Sequence, residues 1–359
     1  MAMQTVDESL AHHGATRLPA VDVESYNVEL KEEDGFVGDR ATHTAFVDGL
    51  ERWRKALRAV DDDPLGEKDS DAISQKKLTA LLTDGDLEAA GTVLSAIEEY
   101  AQAFASVVRR FLKLKSWHDT QRIAVGGGFR ASRVGELAIG RAGVILKAEK
   151  IAIDLVPIRN DPQEAGLLGA VQLAPRWVFE GHDAILALDI GGSTIRAGVV
   201  ALHLRKASDL SRADVWKAER WDHDEEKHPT REKAVVKMAE MLNELVGRAE
   251  KEKLRLAPFI GIGCPGVIAE DGTIERGADN LPGKWEGKKF NLPQSLREEI
   301  PRIGEHETAI VMHNDAVVQG LSELPAMADI ERWGALTIGT GLGNAQFRNR
   351  PGRIERKRG

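Results

Sequence analysis

Residues 185–200 read Ile-Leu-Ala-Leu-Asp-Ile-Gly-Gly-Ser-Thr-Ile-Arg-Ala-Gly-Val-Val. Two apolar runs flank a short polar turn, and Asp189 stands near the close of the first run. Apolar runs of this length bounded by a glycine turn predict a strand, a tight turn and a second strand. A carboxylate at the end of a buried strand needs a reason. In open α/β sheets ligands gather at strand ends, and a polar residue placed there has something to meet.

Outward from this hairpin the chain alternates helical and strand patterns. Toward the N-terminus, residues 26–30 alternate like a short strand. Residues 41–60 carry Phe46, Leu50, Trp53 and Leu57 at helical spacing, and 61–71 form a charged loop. A long helix is predicted over 86–112, with Leu87, Ala90, Leu94, Ile97, Ala101, Phe104, Val108 and Phe111 as its apolar stripe. A strand at 122–125 runs into Gly126-Gly127-Gly128; a helix (132–148), a strand (152–156) and a helix (163–174) then lead to the hairpin. Beyond it come a helix at 230–252, a strand at 259–263, a loop-rich stretch to 290 and a strand at 309–313. A helix from near Asp315 and a strand at 335–338 follow, the latter turning through Gly339-Thr340-Gly341-Leu342-Gly343 into 344–347. This alternation predicts an α/β architecture with mostly parallel central strands and some hairpins. The basic tail 351–359 reads as a solvated end.

Composition narrows the function classes. The 359 residues are 42% hydrophobic and 30% charged, with a net charge of −8. That length suggests two domains or lobes, and that charge argues against a nucleic-acid or membrane-surface binder. Cys264 is the single cysteine, which excludes a disulfide framework and a multi-cysteine zinc site within one chain. No apolar run reaches the ~20 residues of a membrane span and no signal-peptide pattern opens the chain, so a cytoplasmic location is expected.

Two glycine turns, at 189–194 and 339–343, each follow an apolar strand. Glycine admits φ > 0 and close approach of backbone N–H groups to an anion. Either turn alone reads as a plain hairpin. Together, with Asp189 beside the first, they read as a cradle for a polyphosphate whose Mg²⁺ is oriented by Asp189 through water. No GxxxxGK[ST] occurs, so this is not a Walker site. Elsewhere, Asn280 precedes Pro282-Gly283, and Asn314 and Asp315 stand where a strand gives way to a helix. Asp315 reads either as an N-cap or as a general base taking a proton from an attacking hydroxyl; Asn280 and Asn314 then suit sugar hydroxyls. The Gly126–Gly128 run reads as a plain loop or as an approach to a nucleoside.

DIGGSTIRAG (189–198), GIGCPGVI (261–268), NLPGKW (280–285), HNDAVVQGLSE (313–323) and GTGLG (339–343) occur in the order of the ROK family of sugar kinases and sugar-responsive repressors. The chain resembles that family over 184–347. The resemblance implies two RNase H-like (actin-like ATPase) lobes with ATP–Mg²⁺ and a hexose in the cleft between them. It implies that Asp189, Gly191, Gly192, Ser193 and Thr194 form the first phosphate loop, with serine where threonine is usual. Gly339, Thr340, Gly341 and Gly343 match the second loop, Asn280 and Asn314 the sugar contacts, and Asp315 the catalytic base, itself beside the sugar. Gly126, Gly127 and Gly128 in RIAVGGGFR resemble the turn that receives adenosine.

The chain also departs from the family. Only sixteen residues follow Gly343, where the family's Glu-x-Gly-His sugar motif and His/Cys zinc cluster would stand. No such motif lies near, and no structural zinc is expected. Residues 83–112, 122–130 and 159–175 instead resemble the family's late segments, which points to a circular permutation. The expected division is 1–80 in place of the sugar-lid and zinc region, 81–180 as the first part of the nucleotide lobe, 181–325 as the phosphate-1 and sugar lobe, and 326–359 as the remainder of the nucleotide lobe. Within the first segment, residues 36–40 follow a strand pattern and read first as an ordinary connection, with lining of the cleft as the alternative; His12, His13 and His43 are expected to be surface or capping residues. The implied activity is ATP-dependent phosphorylation of a hexose-like sugar. The alternatives are a catalytically impaired sugar- or nucleotide-binding protein, and a ROK-type regulator, although 1–80 shows no helix-turn-helix pattern. Expected partners are a sugar and a nucleotide, with neither nucleic acid nor membrane; a homodimer is compatible with this reading.

Overall fold

The computed structural model describes residues 10–33, 35–227 and 229–350. In chain order its principal strands are β1 (Val21–Tyr26), β2 (Arg122–Gly126), β3 (Asp154–Pro157), β4 (Ala184–Ile190), β5 (Thr194–Ala201), β6 (Asp214–Asp222), β7 (Leu256–Cys264), β8 (Ala309–Asn314), β9 (Arg332–Ile338) and β10 (Leu342–Asn349). Its principal helices are α1 (His43–Leu57), α2 (Gln75–Asp84), α3 (Leu87–Leu112), α4 (Arg133–Ala148), α5 (Ala165–Gly169), α6 (Arg231–Lys251), α7 (Leu292–Glu299) and α8 (Asp315–Leu321). The architecture is mixed α/β. The chain divides into two compact units, one of Met1–Asn27, Glu164–Asp329 and Phe347–Gly359, the other of Val28–Gln163 and Ile330–Gln346. The basic tail lies outside the described residues.

The first unit is built on a sheet of order β8-β7-β4-β5-β6. β4, β5 and β6 form an antiparallel meander, and β7 and β8 add parallel to β4. Alternate residues of β4 (Ala184, Leu186, Leu188, Ile190) join a core with Ala234, Met238, Met241, Leu242 and Leu245 of α6. Side chains alternate across a strand, so Ile185, Ala187 and Asp189 point to the other face. There α5, the 3-10 turn after it and α8 approach so closely that glycine is required. A Cβ on Gly198 would come 2.7 Å from Leu167 Cδ1, and one on Gly261 2.8 Å from the Ala170 Cβ. On Gly169 it would sit 1.7 Å from the Val318 carbonyl oxygen. These three glycines let helix and sheet meet backbone to backbone.

In the second unit β2 pairs in parallel with β9 and β3. The full sheet order is β1-β10-β9-β2-β3, and the division between units falls within β10. Its core packs Phe46 and Leu50 of α1, Val93, Tyr100, Phe104 and Val108 of α3, and Val134, Ile139 and Leu146 of α4.

Several elements differ from the sequence reading. Leu87 and Leu94 are exposed, at 93% and 52%. Ile97, Ala101, Phe104, Val108 and Phe111 of the predicted stripe are buried, and because α3 touches both α1 and α4 the buried arc widens to take in Val93, Tyr100 and Val107. The strand expected at 26–30 ends at Tyr26, because Asn27 turns the chain at φ 49°. The helix expected at 163–174 is α5 followed by a 3-10 turn at Ala170–Gln172. β6 was missed: Asp-Val-Trp-Lys-Ala-Glu-Arg-Trp-Asp shows little apolar alternation, since it is a charged edge strand. The charged loop after α1 is folded around Arg54, whose buried guanidinium meets Asp63, Ser70 and the carbonyls of Gly66 and Lys68. His12 is exposed beside Glu270, whereas His13 and His43 are half-buried, and desolvation lowers the pKa of each.

Candidate active site

Asp189 is the next-to-last residue of β4, and only 3% of it is exposed. It faces α5, where a Cβ on Gly166 would lie 2.2 Å from Asp189 Oδ1. The β4–β5 register sets Arg196 opposite it, with Nη1 3.6 Å from Asp189 Oδ2. Burial raises the pKa of this carboxyl, and Arg196 draws it partly back. The Arg196 Nε is buried without a hydrogen-bond partner.

The turn after β4 is clamped from the end of β6. Gly191 N–H donates to the Thr194 carbonyl at 2.9 Å, and the His223 ring nitrogen Nε2 donates to the Gly191 carbonyl at 3.0 Å. Thr194 Oγ1 donates to Asp222 Oδ1 at 2.8 Å, and Asp224 N–H reaches the Ser193 carbonyl at 3.4 Å. Gly191 and Gly192 do not occupy the left-handed region. Their smallness matters instead: a Cβ on Gly192 would approach the Asn280 Cβ to 3.2 Å. Gly192 and the exposed Asn280 are therefore neighbours.

Asp315 is the first residue of α8, and Asn314 is the N-cap. The Asn314 Oδ1 accepts from Ala316 N–H (3.0 Å) and Val317 N–H (3.3 Å), while Nδ2 donates to the Gly266 carbonyl at 3.0 Å. An amide nitrogen carries two hydrogens, and the second N–H of Asn314 serves the Asp315 carboxyl. The Asp315 carboxyl is raised to about 7, first by burial and second by the charge of Asp189; hydrogen bonds from Ala316, its own backbone and Asn314 oppose the shift. The buried Asp189 and half-buried Asp315 carboxyls thus lie within electrostatic reach of each other at the ends of β4 and β8. A carboxyl poised near neutrality can accept a proton from a hydroxyl at working pH.

The remaining glycine residues lie in the second unit. Gly126 pairs with Thr337 across β2 and β9. Gly127 takes φ +86°, and a Cβ there would strike the Ile338 carbonyl oxygen at 2.2 Å, whereas nothing lies near Gly128. Gly127 is thus needed for packing, and Gly128 has open space. In the β9–β10 turn Gly339 N–H donates to the Gly341 carbonyl at 3.0 Å and the Gly339 carbonyl accepts from His43 N–H at 3.1 Å. Thr340 and Gly341 are exposed, and Gly339 and Gly343 half-buried. Neither Gly339 nor Gly341 has positive φ. Both turns are hairpin turns, and the two glycine runs of this unit stand side by side at strand C-termini. Gly38, in the 36–40 stretch, packs against Leu342.

Sequence reading missed Arg196 and Gly166. Arg196 lies inside the quoted hairpin, and strand pairing alone would have put it opposite Asp189. Gly166 carried no local signal, because its neighbour arrives from another part of the chain.

No protein-family model matches the chain, and no curated protein matches it. Among solved structures it is similar to a candidate N-acetylmannosamine kinase of Listeria monocytogenes, at 24% identity over 48% of this chain and 51% of that one, with a TM-score of 0.33. It is similar to a ROK hexokinase from Thermus thermophilus at 25% identity over 45% of each chain, TM-score 0.29. An exopolyphosphatase from Cytophaga hutchinsonii matches at 18% identity over 52% and 56%, TM-score 0.23. The chain spans about half the length of each of these structures. Among the described residues no helix is long and apolar enough to cross a membrane.

Proposed function

We propose that the chain is a ROK-type sugar kinase that transfers the γ-phosphoryl group of ATP to a hydroxyl of a hexose-like sugar. The observation that carries this reading is the half-buried Asp315 carboxyl, raised to about 7 beside Asp189 and the 191–193 turn. In this reading Asp315 takes the proton of the attacking hydroxyl, Asn280 orients the sugar, and Asn314, whose amide serves Asp315, ties the base to the cap of α8. The amides of Gly192 and Ser193 hold phosphate oxygens, Gly191 closing the turn beneath them, and the glycine turns at 126–128 and 339–343 are given to the nucleotide. Mg²⁺ fits Asp189: it binds through one or two carboxylates plus water and phosphate oxygens, and no group of three metal-ligating side chains is found among the described residues. When bound, the ion offsets phosphate charge. The protein's own contribution is a fixed base and pre-placed backbone donors in a dry site.

The permuted chain order belongs to the same reading. β6-β5-β4-β7-β8 is a meander of three followed by two parallel additions. β1-β10-β9-β2-β3 has the same layout if the chain is read from β9 through β10 and resumes at β1. Two sheets of one plan, one of them interrupted by the chain ends, support two RNase H-like lobes in permuted order.

A coupled ADP-release assay over hexoses and amino sugars tests the function. Turnover with at least one sugar that disappears in Asp315→Asn supports it. Sugar and nucleotide binding by calorimetry without turnover would favour the binding-protein reading instead.

A further inference from the structure

β8 is the edge strand of the first unit's sheet, and the segment at residues 13–15 is fastened along its free side. Gly14 N–H donates to the Met312 carbonyl at 2.9 Å, and Met312 N–H donates to His13 Nδ1 at 3.1 Å. Gly14 takes φ +59°, and a Cβ on it would lie 2.1 Å from the Ile268 carbonyl oxygen, so the strap is pressed against the sheet. The next residue of β8, His313, is fully buried. Its Nδ1 accepts from Asn314 N–H at 2.8 Å, and its Nε2 donates to the Ala15 carbonyl at 3.1 Å. Both partners demand the neutral Nε2–H tautomer, and burial keeps the ring neutral with a pKa near about 4. Tyr26 meets the ring edge-on at 5.0 Å, and its hydroxyl bonds Ile268. One imidazole therefore joins the strap to the backbone of the residue that caps α8.

We propose that the strap at residues 13–15, acting through His313, is a positioning element that holds Asn314 and Asp315 in place for proton transfer. The proposal rests on the kinase reading for its catalytic consequence, but its structural core can be measured without turnover. His313 touches neither reacting group; it fixes the backbone from which both site residues project. A loosened strap admits water beside Asp315 and lets the turn shift. A small misplacement of a catalytic group is costly in rate.

The test uses the full chain and three variants: His313→Ala, His313→Gln and Gly14→Ala. Glutamine keeps a donor for the Ala15 carbonyl and an acceptor for Asn314 N–H; alanine keeps neither. Hydrogen exchange of the Asn314 and Met312 amides, followed by NMR, reads the hold of the strap without substrate, because one donates to His313 and the other to His13. Both amides are protected in the wild type; in His313→Ala and Gly14→Ala the Asn314 amide is expected to exchange about tenfold faster or more, and in His313→Gln its protection to return most of the way. In the sugar kinase assay kcat falls about tenfold or more for the two disruptive variants, with KM changed less. Unchanged protection of the Asn314 amide in folded Gly14→Ala protein overturns the proposal, even if His313→Ala fails to fold. If that protection falls while no sugar is phosphorylated by the wild type, the kinase reading fails and the strap stands.

Discussion

At the scale of single residues, Asp315 sets two expectations that pull in opposite directions. As the base, its replacement by asparagine lowers kcat by about a hundredfold to ten-thousandfold, read in the coupled assay, with far-UV circular dichroism unchanged. The same replacement stabilises the protein at neutral and higher pH. The unfolded chain ionises this carboxyl near its ordinary 3.8 and the folded chain only at about 7. Folding thus loses free energy as pH rises through that window, and the loss is complete above 7. Asparagine cannot ionise, so Asp315→Asn should melt above the wild type at pH 8 and close to it at pH 4. His13 and His313 act on the other side: each is held neutral to about 4, so their contribution is full above 6.5 and declines as pH falls toward 4. Arg196 gives a third expectation. Arg196→Met leaves Asp189 buried without its cation, so the Asp189 titration moves further upward and ADP release slows.

At the scale of elements, the face of the first sheet that carries Asp189 depends on close backbone approach. Gly169→Ala places a methyl where the Val318 carbonyl already sits, and only a shift of α5 from α8 relieves it. The expected cost is on the order of 3 kcal/mol, measured by urea unfolding. Gly247→Ala, in α6 with open space around it, is the control and should be neutral or mildly stabilising. These contacts explain what could be read from the sequence. The hairpin of β4 and β5, α1, α4 and α6 follow local periodicity, and their boundaries came out within a few residues. β6 did not, because an edge strand is free to carry charge on most positions. The stripe on α3 held from Ile97 onward but left out half of the buried arc, because two neighbours widen it in a way no single helical period reveals. In the site, Asp189 and Asp315 were legible as polar residues at strand ends. The roles of Gly166, Arg196 and His313 depend on pairing and on distant segments. None of Gly191, Gly192, Gly339 and Gly341 needs positive φ; at 191 and 192 a side chain would be crowded, whereas around 339 and 341 there is room for one.

At the scale of the whole chain, the two ends of the described sequence meet. Arg350 N–H donates to the Ala20 carbonyl at 3.1 Å, and its guanidinium reaches the Leu18 carbonyl at 3.1 Å. The interruption in the second sheet thus falls between neighbours, and chain order matters less than which strands pair. A permuted gene makes this testable. It would begin at Gly181, run to Gly359, continue through a short glycine–serine linker to Met1 and end at Glu180. Glu180 and Gly181 form an exposed turn with Gly181 at φ 79°, and exposed turns tolerate new termini. The new chain should keep the parent's circular dichroism spectrum, melt within several degrees of it and retain any sugar kinase turnover. Turnover is the sharper reading, because Asp189 would then lie close to the new N-terminus while Asp315 keeps its strap only through the linker. A permutant that folds but leaves the Asp315 carboxyl at its ordinary titration range would show that residues 13–15 reach β8 only in the present chain order.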